Sequence, residues 1–204
     1  GFNFLTVAQM GPRKNLQNTI KWFIEEFRED DVGLVLKSNM AKNCLMDRKR
    51  LHSELTNFIR KQGERQCKVY LLHGDMTDAE MHALYSNNQV HAFVSLPHGE
   101  GFGLPIFEAA YSGLPVVTVG WSGQLDFLVD TEGREQFYNV AFDLQQVQKE
   151  VVWDGVIVPD SMWAYARETS SQEKMYKQFV EAFYEEEKFE VSEWLAELGE
   201  IETQ

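Results

Sequence analysis

The sequence predicts an α/β fold in which a Rossmann-like parallel sheet carries helices on both faces and is followed by C-terminal helices. Between residues 4 and 119, short apolar runs alternate with amphipathic stretches. That alternation is typical of β/α units on a parallel sheet. One amphipathic stretch also has Pro105 at its start and Gly113 just past its end, the order that helices favour.

Five short apolar runs are the expected strands: residues 4–8, 32–36, 68–72, 90–95 and 115–119. Four helices are expected to alternate with them: residues 16–27, 47–61, 78–85 and 105–112. Thr77 precedes the third helix and is a candidate N-cap, because its hydroxyl can accept from a free backbone N–H.

Beyond residue 129 the strand pattern weakens. Asp154 and Gly155 stand between apolar runs and favour a hairpin, with a simple loop as the alternative. Residues 171–198 are expected to be helical, with an aromatic stripe. We therefore expect a Rossmann-like domain over residues 1–165 and an acidic helical extension over residues 166–204.

Composition limits the function classes. The 204 residues carry a net charge of −13, with nine glutamates and one lysine after residue 180, which argues against a nucleic-acid partner. No apolar run is long enough to cross a bilayer, and two cysteines without metal spacing fit a cytoplasmic protein with reduced thiols. The chain lacks an initiating Met, so we expect it to be part of a longer protein.

The loops at the carboxyl ends of the strands are where a parallel sheet binds its ligands. The fourth of these loops holds three glycines around Glu100 and leads into a helix that carries Glu108. Glycines let the backbone approach a ligand closely, and the helix start favours an anion. The two carboxylates suit sugar hydroxyls, so the loop favours a ligand that has both phosphate and polyol groups.

A dinucleotide-binding Rossmann loop is the first competing interpretation. It requires G-x-G-x-x-G directly after the first strand. Here the glycine-rich loop follows the fourth strand, its glycines at 99, 101 and 103 have a different spacing, and Glu100 would repel a pyrophosphate. The sequence therefore argues against a dinucleotide site of that kind.

The segment 100–117 resembles the signature of the GT-B glycosyltransferases of the retaining group 1 family. It has two glutamates separated by seven residues, a small-residue helix and a Gly-x-Pro-Val-Val strand. The resemblance implies one half of a GT-B fold, with Glu100 as the catalytic residue at the donor sugar and Glu108 at the ribose. It also implies backbone contacts to the sugar and phosphates from Gly101, Phe102, Gly103 and Leu104.

The other loops extend this resemblance. Lys14 matches the lysine that binds the donor diphosphate in this family. Gln9 occupies the position where the family usually has an arginine that also binds the diphosphate. Arg13 is the candidate substitute for that missing charge. Met76 lies in a segment that resembles the one contacting the nucleotide base, and His98 is a candidate hydrogen-bond partner of the donor sugar.

The implied function is transfer of a sugar from a nucleoside-diphosphate sugar to an acceptor hydroxyl with retention at the anomeric carbon. The resemblance implies no metal and no other cofactor. It also implies that the acceptor binds mainly to an N-terminal domain outside the 204 residues. Peripheral membrane contact and a homodimer of the fragment are further expectations. A nucleotide-sugar epimerase and a non-catalytic nucleotide-sugar-binding module remain alternatives, the latter favoured by Gln9.

Overall fold

A parallel sheet lies at the centre of the computed structural model, which describes residues 1–154 and 157–197, with side chains as far as residue 182. Within those residues six strands build it: β1 (Phe2–Val7), β2 (Val32–Lys37), β3 (Lys68–Leu72), β4 (Ala92–Ser95), β5 (Val116–Val119) and β6 (Tyr138–Val140). Their order is β3-β2-β1-β4-β5-β6, with every pairing parallel. The predicted α/β fold is confirmed, and the order reverses between β1 and β4, where ligands bind such sheets.

Helices cover both faces of the sheet. They are α1 (Leu16–Glu26), α2 (Leu45–Arg60), α3 (Asp78–Tyr85), α4 (Leu104–Tyr111), α5 (Leu125–Leu128) and α6 (Glu168–Glu197). Buried side chains of α1, α2 and α6 share one core cluster. Those of α3, α4 and α5 share a second cluster on the opposite face.

The two core clusters follow from strand alternation in β1. Neighbouring side chains of a strand point to opposite faces, so Phe4 joins the first cluster and Leu5 the second. The Phe4 ring lies 6.1 Å from that of Phe23 and 5.5 Å from that of Phe27, measured between centroids. Helix α1 and its C-cap residue Phe27 present these rings because apolar residues recur there every three or four positions.

The predicted elements agree with the structure to within a few residues. Thr77 is confirmed as the cap of α3, where it accepts from the backbone N–H of Glu80 in a capping box. The fourth strand is two residues shorter at its start than expected. At that point the N–H of His91 donates to the carbonyl of Asn3 before regular pairing begins.

The sequence did not predict the hairpin that follows the sheet, β7 (Phe142–Gln146) with β8 (Met162–Ala166). The expected turn falls inside the connection between these strands, where Trp153 and Ile157 form an antiparallel bridge. Gly155 itself lies outside the described residues. The C-terminal helix is confirmed over 168–197. The side chain of Met175, in this helix, is buried in the first core cluster.

The predicted division at residue 165 stays a prediction. Near its start α6 packs on the sheet domain, with the ring of Phe179 5.5 Å from that of Phe2 and 5.7 Å from that of Phe27. In the described part of the chain, no helix is both long enough and apolar enough to cross a membrane.

Candidate active site

The loops after β1 and β4 meet at the point where the strand order reverses. A short 3-10 turn, Pro12–Lys14, follows β1, and Asn15 ends it in the left-handed conformation (φ 53°) before α1 begins. The backbone N–H of His98 donates to the carbonyl of Arg13 over 2.8 Å. This bond fixes the basic turn against the glycine-rich loop.

Arg13, Lys14 and Glu100 form an ion triad in this crevice. Arg13 Nη1 lies 2.8 Å from Glu100 Oε2, and Lys14 Nζ lies 2.5 Å from Glu100 Oε1. The side chain of Glu100 is 8% exposed, against 18% for Lys14 and 39% for Arg13. Two cations face one carboxylate, so the triad leaves an excess positive charge in a cleft that partly excludes water.

The glycine-rich loop presents its backbone beside the triad. Gly103 has φ of 87°, a left-handed conformation that favours glycine, and it directly precedes α4. Gly101 is exposed, as are Phe102 at 46% and Leu104 at 56%. The first backbone N–H groups of a helix have no partner within it and carry partial positive charge. At the start of α4, Pro105 has no N–H and the next two N–H groups donate to the carbonyl of Gly103, so the N–H of Leu104 is the group that remains for an anion.

The loop after β5 holds Glu100 in place through its backbone. The N–H of Gly123 donates to the carbonyl of Glu100 over 3.0 Å, and the hydroxyl of Ser122 donates to the same oxygen over 2.6 Å. A Cβ on Gly123 would lie 2.0 Å from the carbonyl oxygen of Gly101. Glycine at 123 is thus required by a close approach of two backbones.

We expect Gly123→Ala to lower the free energy of unfolding by about 2–3 kcal/mol, because the new methyl group forces the two loops apart. Urea denaturation measures this loss. Gly101→Ala is the matched control, since a Cβ there meets nothing within 4 Å. Equal losses in the two variants would contradict the close-approach argument.

Glu108 has a different partner from Glu100. The hydroxyl of Tyr85, at the end of α3, donates to Glu108 Oε2 over 3.0 Å. Burial, and secondly the charge of Glu108, raise the pKa of the Tyr85 hydroxyl, which therefore stays a donor. Both residues line a cavity of about 150 Å³ between α3 and α4, together with Asp78 and Tyr111.

Gln9 and Met76 have no hydrogen bond or ion pair with the triad in the described part of the chain. The exposed side chain of Gln9 donates to the carbonyl of Met40 over 2.7 Å and so links the first two loops. Met76 is half-buried in the loop that leads into α3. Arg13, rather than Gln9, brings the second positive charge to the side of Lys14.

His98 is buried instead of lying in solvent. Its Nδ1 lies 2.7 Å from the carbonyl oxygen of Ala164 in β8, and its ring stacks on that of Trp163 with centroids 5.0 Å apart. A carbonyl only accepts, so Nδ1 carries the proton in this pair. Burial lowers the pKa of His98, and the bond to Ala164 opposes that effect more weakly.

The lowered pKa of His98 predicts a pH-dependent stability. Below about pH 6.5 the unfolded chain takes up a proton at His98 before the folded chain does. The stability that neutral His98 contributes is therefore present above that pH and is lost as the pH falls toward the lowered folded-state pKa. We expect the unfolding free energies of the parent and of His98→Asn to differ more at about pH 7.5 than at about pH 5.5. Urea denaturation at both pH values checks this, and a difference independent of pH would contradict it.

Comparison with known proteins establishes the family. The model of the family described as "Glycosyl transferases group 1" matches residues 2–142. The chain belongs to this family. The match includes β1 to β6 and the whole crevice, so the triad and the glycine-rich loop are parts of a group 1 glycosyltransferase domain.

The similar proteins are glycosyltransferases and structures of the same fold. Over 118 residues the chain is 31% identical to the serotype-specific mannosyltransferase WbdA of Escherichia coli, a stretch covering 56% of this chain and 13% of WbdA. HepE of Anabaena, solved with UDP and glucose, is 21% identical, with 64% of this chain and 32% of HepE covered and a TM-score of 0.50. The GtfA/B complex is 16% identical, with 87% and 29% covered and a TM-score of 0.50. The chain thus spans a small part of its relatives.

Some residues of this group 1 domain were missed from the sequence. Tyr85 gave no signal, because an apolar position at the end of an amphipathic helix is ordinarily core. Ser122 and Gly123 have the sequence pattern of an ordinary turn, which does not indicate their bonds to the carbonyl of Glu100. Trp163 lies beyond the matched residues, and it is buried against His98.

Proposed function

We propose that this chain is the donor-binding domain of a retaining glycosyltransferase that transfers a sugar from a nucleoside-diphosphate sugar to an acceptor hydroxyl. The observation that carries the proposal is the convergence of Arg13, Lys14 and Glu100 on the crevice between β1 and β4. Cations suit a diphosphate and the carboxylate suits sugar hydroxyls. Membership of the group 1 family supports the same assignment.

Each part of the donor has a candidate partner. Lys14 and Arg13 hold the diphosphate, and the segment from Gly101 to Leu104 lies along it. Glu108 accepts from the ribose hydroxyls while Tyr85 keeps its carboxylate oriented. Glu100 contacts the transferred sugar. Met76, in the loop before α3, is the proposed base contact.

Bond cleavage leaves a negative charge on the departing diphosphate. Fixed positive groups stabilise such a charge without reorganisation at the moment of reaction. Lys14, Arg13 and the N-terminus of α4 are the groups that the proposal assigns to this task. Glu100 positions the sugar in this account and is not assigned a nucleophilic role.

Calorimetric titration of the chain with UDP, GDP and ADP tests the proposal. We expect one nucleoside diphosphate to bind more tightly than the other two, with the same affinity in magnesium and in EDTA, since no metal is assigned. Loss of binding in EDTA would contradict the metal-independent site. Failure of all three diphosphates to bind would contradict the donor-binding function.

The acceptor is proposed to bind mainly to a second, N-terminal domain. The 13% coverage of WbdA is consistent with a longer protein. Turnover of a nucleotide sugar without an acceptor, giving an epimer, would favour the epimerase alternative. Binding without turnover in the full-length protein would favour the non-catalytic module. The cytoplasmic location, the homodimer and the peripheral membrane contact stay predictions.

A further inference from the structure

A second cleft, of about 520 Å³, lies between the first loop and the β7–β8 hairpin. One wall comes from the first loop and the start of α1, including Met10 and Asn18. The facing wall comes from the β7–β8 hairpin and its connection, including Gln148 and Tyr165. Lys14 and Glu100 do not line it. The cleft is therefore distinct from the ion triad, although both are built on the same two loops.

The lining of this cleft is uncharged. Among the described residues that form it there is no Lys, Arg, Asp or Glu, while Asn18, Gln17 and Gln148 contribute exposed amides. An amide both donates and accepts hydrogen bonds, as hydroxyl groups do. A neutral lining of this kind disfavours phosphate and fits a neutral ligand with many hydroxyl groups.

An aromatic wall supplies the apolar side of the cleft. The His98 ring stacks on Trp163 at an interplanar angle of 15° and lies 4.4 Å from the Tyr165 ring, centroid to centroid. The N–H of Ala164 donates to the carbonyl of His98 over 2.8 Å, which fixes β8 against the glycine-rich loop. Trp163 and His98 are each 7% exposed, so the half-buried Tyr165 ring presents most of the aromatic surface that can cover the C–H face of a pyranose ring.

His98 also offers a defined acceptor at this wall. With its proton on Nδ1, neutral His98 has a lone pair on Nε2. No residue in the described part of the chain donates to that nitrogen. A ligand hydroxyl that reaches the wall can donate a hydrogen bond to Nε2 of His98.

The hairpin lies outside the part that the family model describes. The match ends at residue 142, where β7 begins, so one wall of the cleft lies beyond the matched residues. His98 stands two residues before Glu100, and its N–H is bonded to Arg13. A ligand in the cleft would thus lie beside the proposed donor site.

We propose that this cleft binds a saccharide, and that the saccharide is a sugar unit of the acceptor. The acceptor role rests on the proposed function, whereas sugar binding by the cleft does not. The uncharged amides hold the hydroxyls and the aromatic wall holds the apolar face of the ring. The β7–β8 hairpin then contributes to the choice of acceptor from within the donor-binding domain.

Fluorine NMR of the chain labelled with 5-fluorotryptophan tests this proposal. The Trp163 signal is assigned from Trp163→Phe, and the probes are methyl α-D-mannopyranoside, methyl α-D-glucopyranoside and cellobiose. We expect at least one sugar to shift the Trp163 signal with a dissociation constant on the order of 1–10 mM, while Trp22 in the core stays unchanged. Uridine and guanosine are added as neutral, stacking competitors.

Two cleft variants and one control complete the experiment. Gln148→Ala and Tyr165→Ala are expected to weaken sugar binding at least threefold, whereas Tyr70→Ala, an exposed tyrosine on edge strand β3, leaves it unchanged. Gln148 is exposed, so its variant should fold even if Tyr165→Ala does not. No sugar shift, a shift from the nucleosides alone, or equal loss in the control overturns the proposal. Sugar binding without nucleoside-diphosphate binding would support the saccharide site in the cleft and contradict the proposed donor-binding function.

Discussion

Glu100→Gln is expected to tighten the binding of the preferred nucleoside diphosphate by about fivefold to tenfold, which corresponds to about 1–1.4 kcal/mol. In the structure both cations proposed for the diphosphate are already bonded to Glu100. A diphosphate must compete with that carboxylate, and a neutral amide competes less. The gain is modest because Arg13 is 39% exposed and solvent screens its pairing.

Calorimetry with the parent chain and the variant measures this gain. Glu108→Gln is the matched control, since Glu108 is bonded to Tyr85 instead of to either cation. That variant should bind no more tightly than the parent. The intact sugar nucleotide should gain less from Glu100→Gln than the free diphosphate, because the proposed contact to the sugar is lost. Weaker binding of the free diphosphate would contradict the competition between Glu100 and the ligand.

Lys14→Met is expected to weaken nucleoside-diphosphate binding about 10-fold to 100-fold. A hydrogen bond to a charged group contributes about 1.5–3 kcal/mol, and methionine keeps the apolar stem while removing the charge. Glu100 remains paired with Arg13 at 2.8 Å in this variant, so the loop should keep its position. Calorimetric titration at two salt concentrations measures the loss, which should be larger at the lower concentration.

Lys21→Met is the control for a general charge effect. Lys21 lies on α1 and pairs with Glu25 and Glu168 on the surface. Its removal changes the net charge by the same amount and should leave binding unchanged. If both lysine variants lose affinity equally, the diphosphate is attracted by overall charge and Lys14 is not its ligand.

Most of the fold could be predicted from local patterns. The first five strands and the helices between them lie where apolar runs and amphipathic stretches alternate, because burial of one face imposes that periodicity. The β7–β8 hairpin could not be predicted. Leu144 and Met162 are exposed on these strands, so the hydrophobic alternation that identifies a half-buried strand is absent.

The candidate site divides in the same way. Glu100 and Glu108 could be selected from the sequence, because a glycine-rich loop before a helix is a local feature with a local signature. The side chains to which these two carboxylates are bonded could not be predicted. No local pattern indicates that Glu108 is bonded to Tyr85 while Glu100 is bonded to two cations.

The sequence by itself determined the β/α order of the domain, its family and the loops that carry the chemistry. Only the tertiary structure decided that Lys14 and Glu100, 86 residues apart, neutralise each other, and that His98 is bonded to Ala164, 66 residues further along. The periodicity of a chain reports which face of each element is buried. Which side chains then meet depends on the order of the strands in the sheet, because that order brings distant loops to one edge.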